Sequence, residues 1–331
     1  MKTTIKVGSI IAKTGSLTKG WLKVDELSNN TKVKIPVMIV NGKNDGPRLW
    51  LNCCVHGNEL TGIFSARKLA LKTNPEYLNG ALICTLIANP LAYQAREHLT
   101  PQDGLNLGDS FPGEKDGQLT KKIAYVLFEE IKKNADYLID VHSWGSFGTA
   151  KPYTVFKKIK DEVINKKTEE FAKLFGAPLN CKVDVSGPLS EPAPVGGALD
   201  LNCIQRGIPS FMAEIGHHYR LEEEYVEFGI KGVTNIMRFL EMIPGNILKT
   251  KEQIVLNYRQ IIRCKHSGQA VFDVKPQDFV KKGERLAYIT NVFGDIVVEE
   301  ILAPRDLYPI NVRFNPVVNT GDRIALVGFC S

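Results

Sequence analysis

The run His56-Gly57-Asn58-Glu59 sets an imidazole and a carboxylate three residues apart, directly after the apolar stretch Leu49 to Val55 and at the start of a helical pattern. At a strand-to-helix turn both side chains can aim at one point above a sheet edge. Neutral imidazole plus carboxylate is a common catalytic zinc pair, which needs one more protein ligand and an open position for water. Asp140-Val141-His142-Ser143 closes a second apolar stretch, Tyr137-Leu138-Ile139, and Glu214 closes a third, Ile208 to Ala213. In an open α/β sheet, functional groups gather beyond the carboxyl ends of strands. Three strand ends thus offer two imidazoles and one carboxylate as ligands, with one carboxylate left for acid–base work. Taken singly, each reads as a satisfied polar residue at a strand terminus. Taken together, they read as a metal-dependent hydrolytic site.

The elements that must position these residues follow from periodicity. Residues 1–40 alternate β-rich stretches, Ile5 to Ile11 and Lys32 to Val40, with Gly, Asn and Ser turns, as expected at a sheet edge. Strands are expected over Leu49–Val55, Ala81–Ala88, Tyr137–His142 and Ile208–Glu214. Helices are expected near Glu59–Lys72, Leu119–Asn134, Lys160–Phe175 and Glu222–Met242, where apolar residues recur at helical spacing. This alternation predicts an α/β fold, a mostly parallel mixed sheet with helices on both faces. After Pro244-Gly245, residues 254–331 hold only short Val/Ile/Phe runs broken by Gly and Pro, which predicts a small all-β module. The linker is placed at 246–252, giving a hydrolase domain at 1–248 and a β module at 249–331. Two similar turns, Val280 to Leu286 and Val318 to Ile324, suggest a barrel-sandwich related to biotinyl and lipoyl domains. No lysine sits in a carrier-type turn, so the module is expected to be structural or to serve assembly.

Composition narrows the function classes. Lys+Arg 42 against Asp+Glu 36 gives +6, scattered as single lysines, so charge supports neither a nucleic-acid nor a membrane partner. No run approaches the roughly 20 apolar residues of a membrane span. The basic start Met1-Lys2-Thr3-Thr4-Ile5-Lys6 has no apolar signal core behind it. Seven cysteines without a CxxC pair, mostly inside apolar runs, read as buried free thiols and make the cytoplasm the expected location. Cys53 and Cys54 are neighbours on a strand, so their side chains point to opposite faces and cannot share one ion.

Several runs resemble the succinylglutamate desuccinylase/aspartoacylase family of zinc-carboxypeptidase-like enzymes. They are Gly46-Pro47-Arg48-Leu49-Trp50, Val55 to Glu59, Ala88-Asn89-Pro90-Leu91-Ala92-Tyr93, Asp103-Gly104-Leu105-Asn106-Leu107, Phe111-Pro112-Gly113, Asp140 to Ser143 and Glu214-Ile215-Gly216. Their order and spacing match through about residue 245, and the β module resembles the one many members carry. The resemblance implies that His56, Glu59 and His142 bind one Zn²⁺ per chain. It implies that Glu214 is the general base and acid for hydrolysing an N-acyl bond of a small amine or amino-acid-like substrate. A homo-oligomer is left open.

This chain departs from the family at the substrate wall. The Asn-Arg pair that the family places before Phe-Pro-Gly to hold a substrate carboxylate is here Gly108-Asp109. The position of a further family arginine falls at His98, with Arg96 two residues away and expected to reach the same space as a catalytic donor. Substrate contacts are therefore expected from Asp109, Gly108, His98 and Trp144, and Asp109 predicts a cationic substrate group. Two other classes stay open, a ligand-binding member without turnover and a metallocarboxypeptidase acting on peptides. His217-His218 are placed either at the pocket or in a solvated turn, and His266 on the surface.

Overall fold

A computed structural model describes residues 4–145, 148–186, 197–250 and 252–330. Met1–Thr3, from the basic start, and Lys251, from the expected linker, lie outside the described residues. The chain begins with a hairpin of β1 (Ile5–Val7) and β2 (Ile10–Ala12), then β3 (Ser16–Glu26), β4 (Lys32–Asn41) and β5 (Asn44–Cys53). Helix α1 (Thr61–Lys72), β6 (Asn79–Thr85), α2 (Pro90–Ala95), α3 (Leu119–Asn134), β7 (Tyr137–Trp144), β8 (Gly148–Ala150) and β9 (Tyr153–Lys158) follow. Next come α4 (Glu162–Leu174), β10 (Leu179–Asp184), α5 (Leu199–Ile204), β11 (Ser210–His217) and α6 (Glu223–Phe239). The C-terminal part holds β12 (Ile254–Leu256), β13 (Tyr258–Arg263), β14 (Gly268–Phe272), β15 (Arg285–Thr290), β16 (Val297–Leu302), β17 (Tyr308–Arg313), β18 (Val317–Val318) and β19 (Arg323–Phe329).

Nine strands form one mixed sheet in the order β12-β10-β9-β11-β7-β5-β6-β4-β3. The ladders β12/β10/β9 and β11/β7/β5/β6 are parallel, and β9/β11, β6/β4 and β4/β3 are antiparallel. The expected mixed α/β fold is thus present. Alternation along each strand feeds two cores. Trp50 and Ile39 face the layer holding α3 and α5, while Leu49, Leu51 and Val40 face α1, α4 and α6. Each fully buried side chain of this size contributes roughly 1.5–3 kcal/mol relative to exposure.

Local choices explain the helices. Helix α3 buries Ile123, Leu127 and Ile131 on one stripe, and Asp103 from the preceding loop accepts from the Thr120 amide at 2.9 Å. Asp161 caps α4 by accepting from Val163 and Ile164, worth about 1 kcal/mol. Sequence periodicity missed β9 and β10, whose polar residues Thr154 and Asn180 hydrogen-bond each other at 2.7 Å inside the sheet and so break the apolar pattern.

The C-terminal part contains no helix among the described residues and builds two four-stranded sheets, β13-β19-β17-β8 and β16-β15-β14-β18. Two strands cross the covalent boundary. β12 pairs with β10 of the large sheet, and β8 pairs with β17 of the module. Backbone ladders therefore join the two parts as well as the linker does.

Candidate active site

Parallel register assembles the site. On β11 and β7, Glu214 is paired with His142, and β5 next to β7 ends at Cys53 opposite Val141, three residues before His56. On the other side of β11, Tyr153 is paired with Glu214. His56, Glu59, His142 and Glu214 consequently line one cavity of about 340 Å³ at the strand ends, and all four are buried. The turn that presents His56 passes so close to α2 that a Cβ on Gly57 would lie 2.0 Å from the Ala92 carbonyl carbon. Only glycine fits there.

Hydrogen bonds fix which ring nitrogen faces inward. The Gly108 amide donates to Asn106 Oδ1 at 2.8 Å, and Asn106 Nδ2 donates to Asp109 Oδ2 at 2.8 Å. Asn106 Oδ1 therefore also faces His56 Nε2, 3.0 Å away, and accepts its proton. That leaves the His56 Nδ1 lone pair 2.7 Å from Glu59 Oε1. His142 lies between two carboxylates, with Nε2 3.1 Å from Asp140 Oδ2 and Nδ1 3.0 Å from Glu59 Oε2. Asp140 is itself held by Asn52, whose Nδ2 donates to it at 2.8 Å. At His56 an acceptor nitrogen thus confronts an acceptor oxygen, and Glu59 Oε2 and His142 Nε2 have no hydrogen-bond partner among the described residues. Bound protons or a dication must resolve such a confrontation. Two imidazoles, one carboxylate and outer partners that orient the rings fit zinc.

Among the described residues, the trio whose ligand atoms all lie within 4.8 Å of one another is His56, Glu59 and His98. Geometry favours His142. The His98 ring is stacked on His56 with centroids 3.7 Å apart and planes 12° from parallel, so the two sets of lone pairs run side by side. An ion about 2.0–2.1 Å from one ring in its plane stays too far from the other. His142 is tilted 54° to His56, which allows convergence.

Electrostatics separate the two acids. Burial works to raise the Glu59 carboxyl, but the His56 and His142 imidazoles outweigh it and hold it well below the usual range. Burial pushes Glu214 up to about 7, with His142 opposing, and Glu214 Oε2 has no hydrogen-bond partner among the described residues. Burial pulls His98 down to about 4, so this ring is neutral near pH 7.

The remaining predicted residues divide. Gly108, Asp109, His98 and Trp144 line the cavity, with Asp109 exposed at its mouth. A Cβ on Gly108 would lie 3.2 Å from His56 Nε2, so the absence of a side chain lets this loop close on the imidazole. Arg96 is not brought in. It is exposed, caps α2 in a left-handed conformation, and is absent from the cavity wall. The same turn carries His98 inward instead, tied down because Asn89 caps α2 and donates to Thr100 at 2.9 Å.

Among the wall residues not singled out from the sequence are the polar Asn106, Tyr153, Lys157 and Arg259. Asn106 stands in a quoted motif and was recoverable, whereas Lys157 and Arg259 lie in no pattern that signals chemistry. Arg259 and Leu326 belong to the module expected to be structural, which therefore supplies part of the wall. Of the histidine pair, His218 lines the cavity with Nε2 donating to the Ser143 carbonyl at 2.9 Å, while His217 pairs with Glu222 at 2.8 Å. All seven cysteines are free, six of them buried. His266 is exposed.

Residues 45–240 match the family model of the succinylglutamate desuccinylase/aspartoacylase catalytic domain. Over 321 residues the chain is 28% identical to the N-alpha-acetyl-L-2,4-diaminobutyric acid deacetylase of Halomonas elongata, spanning 93% of this chain and 90% of that protein. As likenesses of fold, it superposes with a TM-score of 0.84 on a product-bound ectoine utilization protein from Ruegeria pomeroyi, at 24% identity and covering 99% and 98% of the two chains. A succinylglutamate desuccinylase/aspartoacylase from Rhodobacter sphaeroides gives 0.82, at 24% identity and covering 95% and 96%. The matched domain contains every strand end that builds the cavity: the chain belongs to the succinylglutamate desuccinylase/aspartoacylase family.

Proposed function

We propose that the chain is a zinc-dependent deacylase that hydrolyses the N-acyl amide of a small, cation-bearing amino-acid-like substrate. The observation that carries this is the confrontation of His56 Nδ1 and His142 Nδ1 with the two oxygens of Glu59, beside a buried Glu214 whose carboxyl lies near neutrality. His56, Glu59 and His142 would hold the ion. A bound zinc ion supplies Lewis acidity and lowers the pKa of a water toward about 7. Glu214, poised near 7, takes a proton from the attacking water and returns it to the departing amine, which needs both protonation states to be accessible. Asn106 holds His56 in the tautomer that points Nδ1 inward, and the Asp140 carboxylate stands 3.1 Å from His142 Nε2 on the outer side. His98 and His218 line the same cavity as neighbouring imidazoles.

Asp109 at the cavity mouth favours an ammonium and disfavours a second carboxylate beside it. The relative from Halomonas elongata is named for a substrate with such a side-chain amine, which supports the same substrate class here. We retain 1–248 and 249–331 as the two units and a barrel-sandwich form for the second. Free buried thiols support a reducing, cytoplasmic setting.

Metal analysis combined with hydrolysis of a panel of N-acyl diamines, N-acyl basic amino acids and N-acyl-aspartate tests the reading. About one zinc per chain and preference for the cationic substrates are expected. Protein that binds zinc but hydrolyses nothing in the panel, or that cleaves only peptides, would overturn it.

A further inference from the structure

We propose that Tyr153 is a further catalytic residue, whose hydroxyl accepts the N–H of the scissile amide beside Glu214 and holds that nitrogen while the carboxyl returns its proton. This rests on the deacylase reading and names a substrate contact that reading leaves out. Register places the side chain. Tyr153 on β9 and Glu214 on β11 are antiparallel partners. Residues directly opposite in such a pair share one face of the sheet, with Cβ atoms about 4.5–5.5 Å apart. The next pair on that face, Val155 and Met212, lines the same cavity as Tyr153 and Glu214. Two successive pairs therefore point into it. Across three strands the row is His142, Glu214, Tyr153, so Tyr153 stands on the side of Glu214 away from the proposed metal ligands. In the deacylase reading the departing nitrogen lies against Glu214, which puts it between the two side chains.

The hydroxyl is what this tyrosine adds to the wall. Tyr153 is 2% exposed, its ring packs with Val155 and Leu326, and it lies 6.4 Å from the Trp144 ring. A buried tyrosine hydroxyl ordinarily finds a hydrogen-bond partner. Among the described residues this one has none, so it is left for the occupant of the cavity. The other polar groups of β9 are engaged. Thr154 Oγ1 donates to Asn180 Oδ1 at 2.7 Å, and Lys157 Nζ lies 2.7 Å from Asp200 Oδ1. Burial, reinforced by the Glu214 charge, holds the Tyr153 phenol well above its usual range, so the group stays neutral. In the step itself, Glu214 gives its proton to the nitrogen, the carbon–nitrogen bond breaks, and the bonding pair leaves with the amine. The Tyr153 oxygen accepts the N–H throughout, and no proton moves to or from the phenol. The contact turns the nitrogen lone pair toward Glu214 and strengthens as the nitrogen gains charge.

The test is Tyr153→Phe, which removes the oxygen and keeps the ring, assayed beside the unmodified chain on the best-hydrolysed amide of the panel above. A hydrogen bond to a group that becomes charged predicts a roughly 10- to 100-fold fall in kcat, with KM changed less than about threefold. Zinc content should be unaltered. Tm should be equal or higher, because removing a buried hydroxyl that has no partner does not destabilise the fold. The loss of activity toward low pH should keep its midpoint, since the hydroxyl acts on the substrate and leaves Glu214 as it is. A kcat within about twofold of the unmodified chain would show that only the ring matters and overturn the proposal. So would a variant that loses zinc, melts lower or fails to fold, because the hydroxyl would then be engaged within the protein. A midpoint displaced by about one pH unit or more would make Tyr153 a positioning residue acting through Glu214, which also overturns it. In all these cases an active unmodified chain leaves the deacylase reading standing. An unmodified chain inactive on every N-acyl compound overturns that reading and this proposal together.

Discussion

The floor and the rim of the cavity are held by different kinds of structure. On the floor, His142 and Glu214 end neighbouring parallel strands in direct register, and His56 and Glu59 follow a third strand end within one turn. These positions are buried in ladders where a slip of one residue would turn every side chain to the opposite face. At the rim, Asp109 sits on a loop held by Asn106, and Arg259 arrives from β13. Asp109 does not depend on strand register, and Arg259 depends only on the β13/β19 ladder outside the large sheet. Under the proposed function, the chemistry is tied to the sheet, while substrate choice is tied to parts that can change without disturbing it.

Substitutions from floor to rim should show graded effects. Replacing His142 by Ala removes one of three proposed ligands and should leave the protein with well under one zinc per chain and no measurable turnover. Elemental analysis after dialysis checks this, and an unchanged zinc content would dissolve the floor as a metal site. Glu214→Gln should keep the metal and lower kcat by roughly 10²- to 10⁴-fold. In the unmodified chain, activity should fall as the pH drops through the Glu214 pKa, because the base form is lost; that acid limb should vanish in the variant. A persistent acid limb would assign proton transfer to another group.

Asp140→Asn sharpens the comparison from behind the floor. It weakens the partner of His142 Nε2 and should reduce zinc affinity by roughly 10- to 100-fold in chelator competition. At the rim, Asp109→Asn should raise KM for a cationic substrate only about two- to fivefold, since an exposed ion pair is worth roughly 0.2–1 kcal/mol. The effect should shrink in high salt. A larger loss that is insensitive to salt would mean that the rim is coupled to His56 through Asn106. Arg96→Ala should change kcat/KM by less than about twofold, because the side chain is exposed outside the cavity. A loss of tenfold or more would restore Arg96 to the site.

Legibility in the sequence followed the same division. Helix α3 occupies the expected span, Leu119–Asn134, because its apolar stripe repeats cleanly. Helix α1 starts at Thr61 rather than Glu59, since Glu59 is held in the turn by its own side-chain contacts with His56, His142 and His218. The residues proposed to bear the chemistry were readable because they close or follow apolar strands. Arg96 and His98 were not separable, because two residues of loop decide which one faces inward.

By itself the sequence determined the strand-ending acids and imidazoles, the alternation that makes a mixed sheet, and the all-β character after Gly245. These are local patterns: each is written in the period of apolar residues and in the residue that follows the strand. Only the tertiary structure showed the His98 ring stacked on His56 and the His142 ring tilted to it beside Glu59. It alone brought Arg259 and Leu326 across the boundary to the cavity and made strands β8 and β12 join sheets outside their own segments. The physical reason is range. Burial and periodicity act within a few residues, whereas ring tilt, cavity walls and exchanged strands depend on contacts between segments that no local pattern specifies.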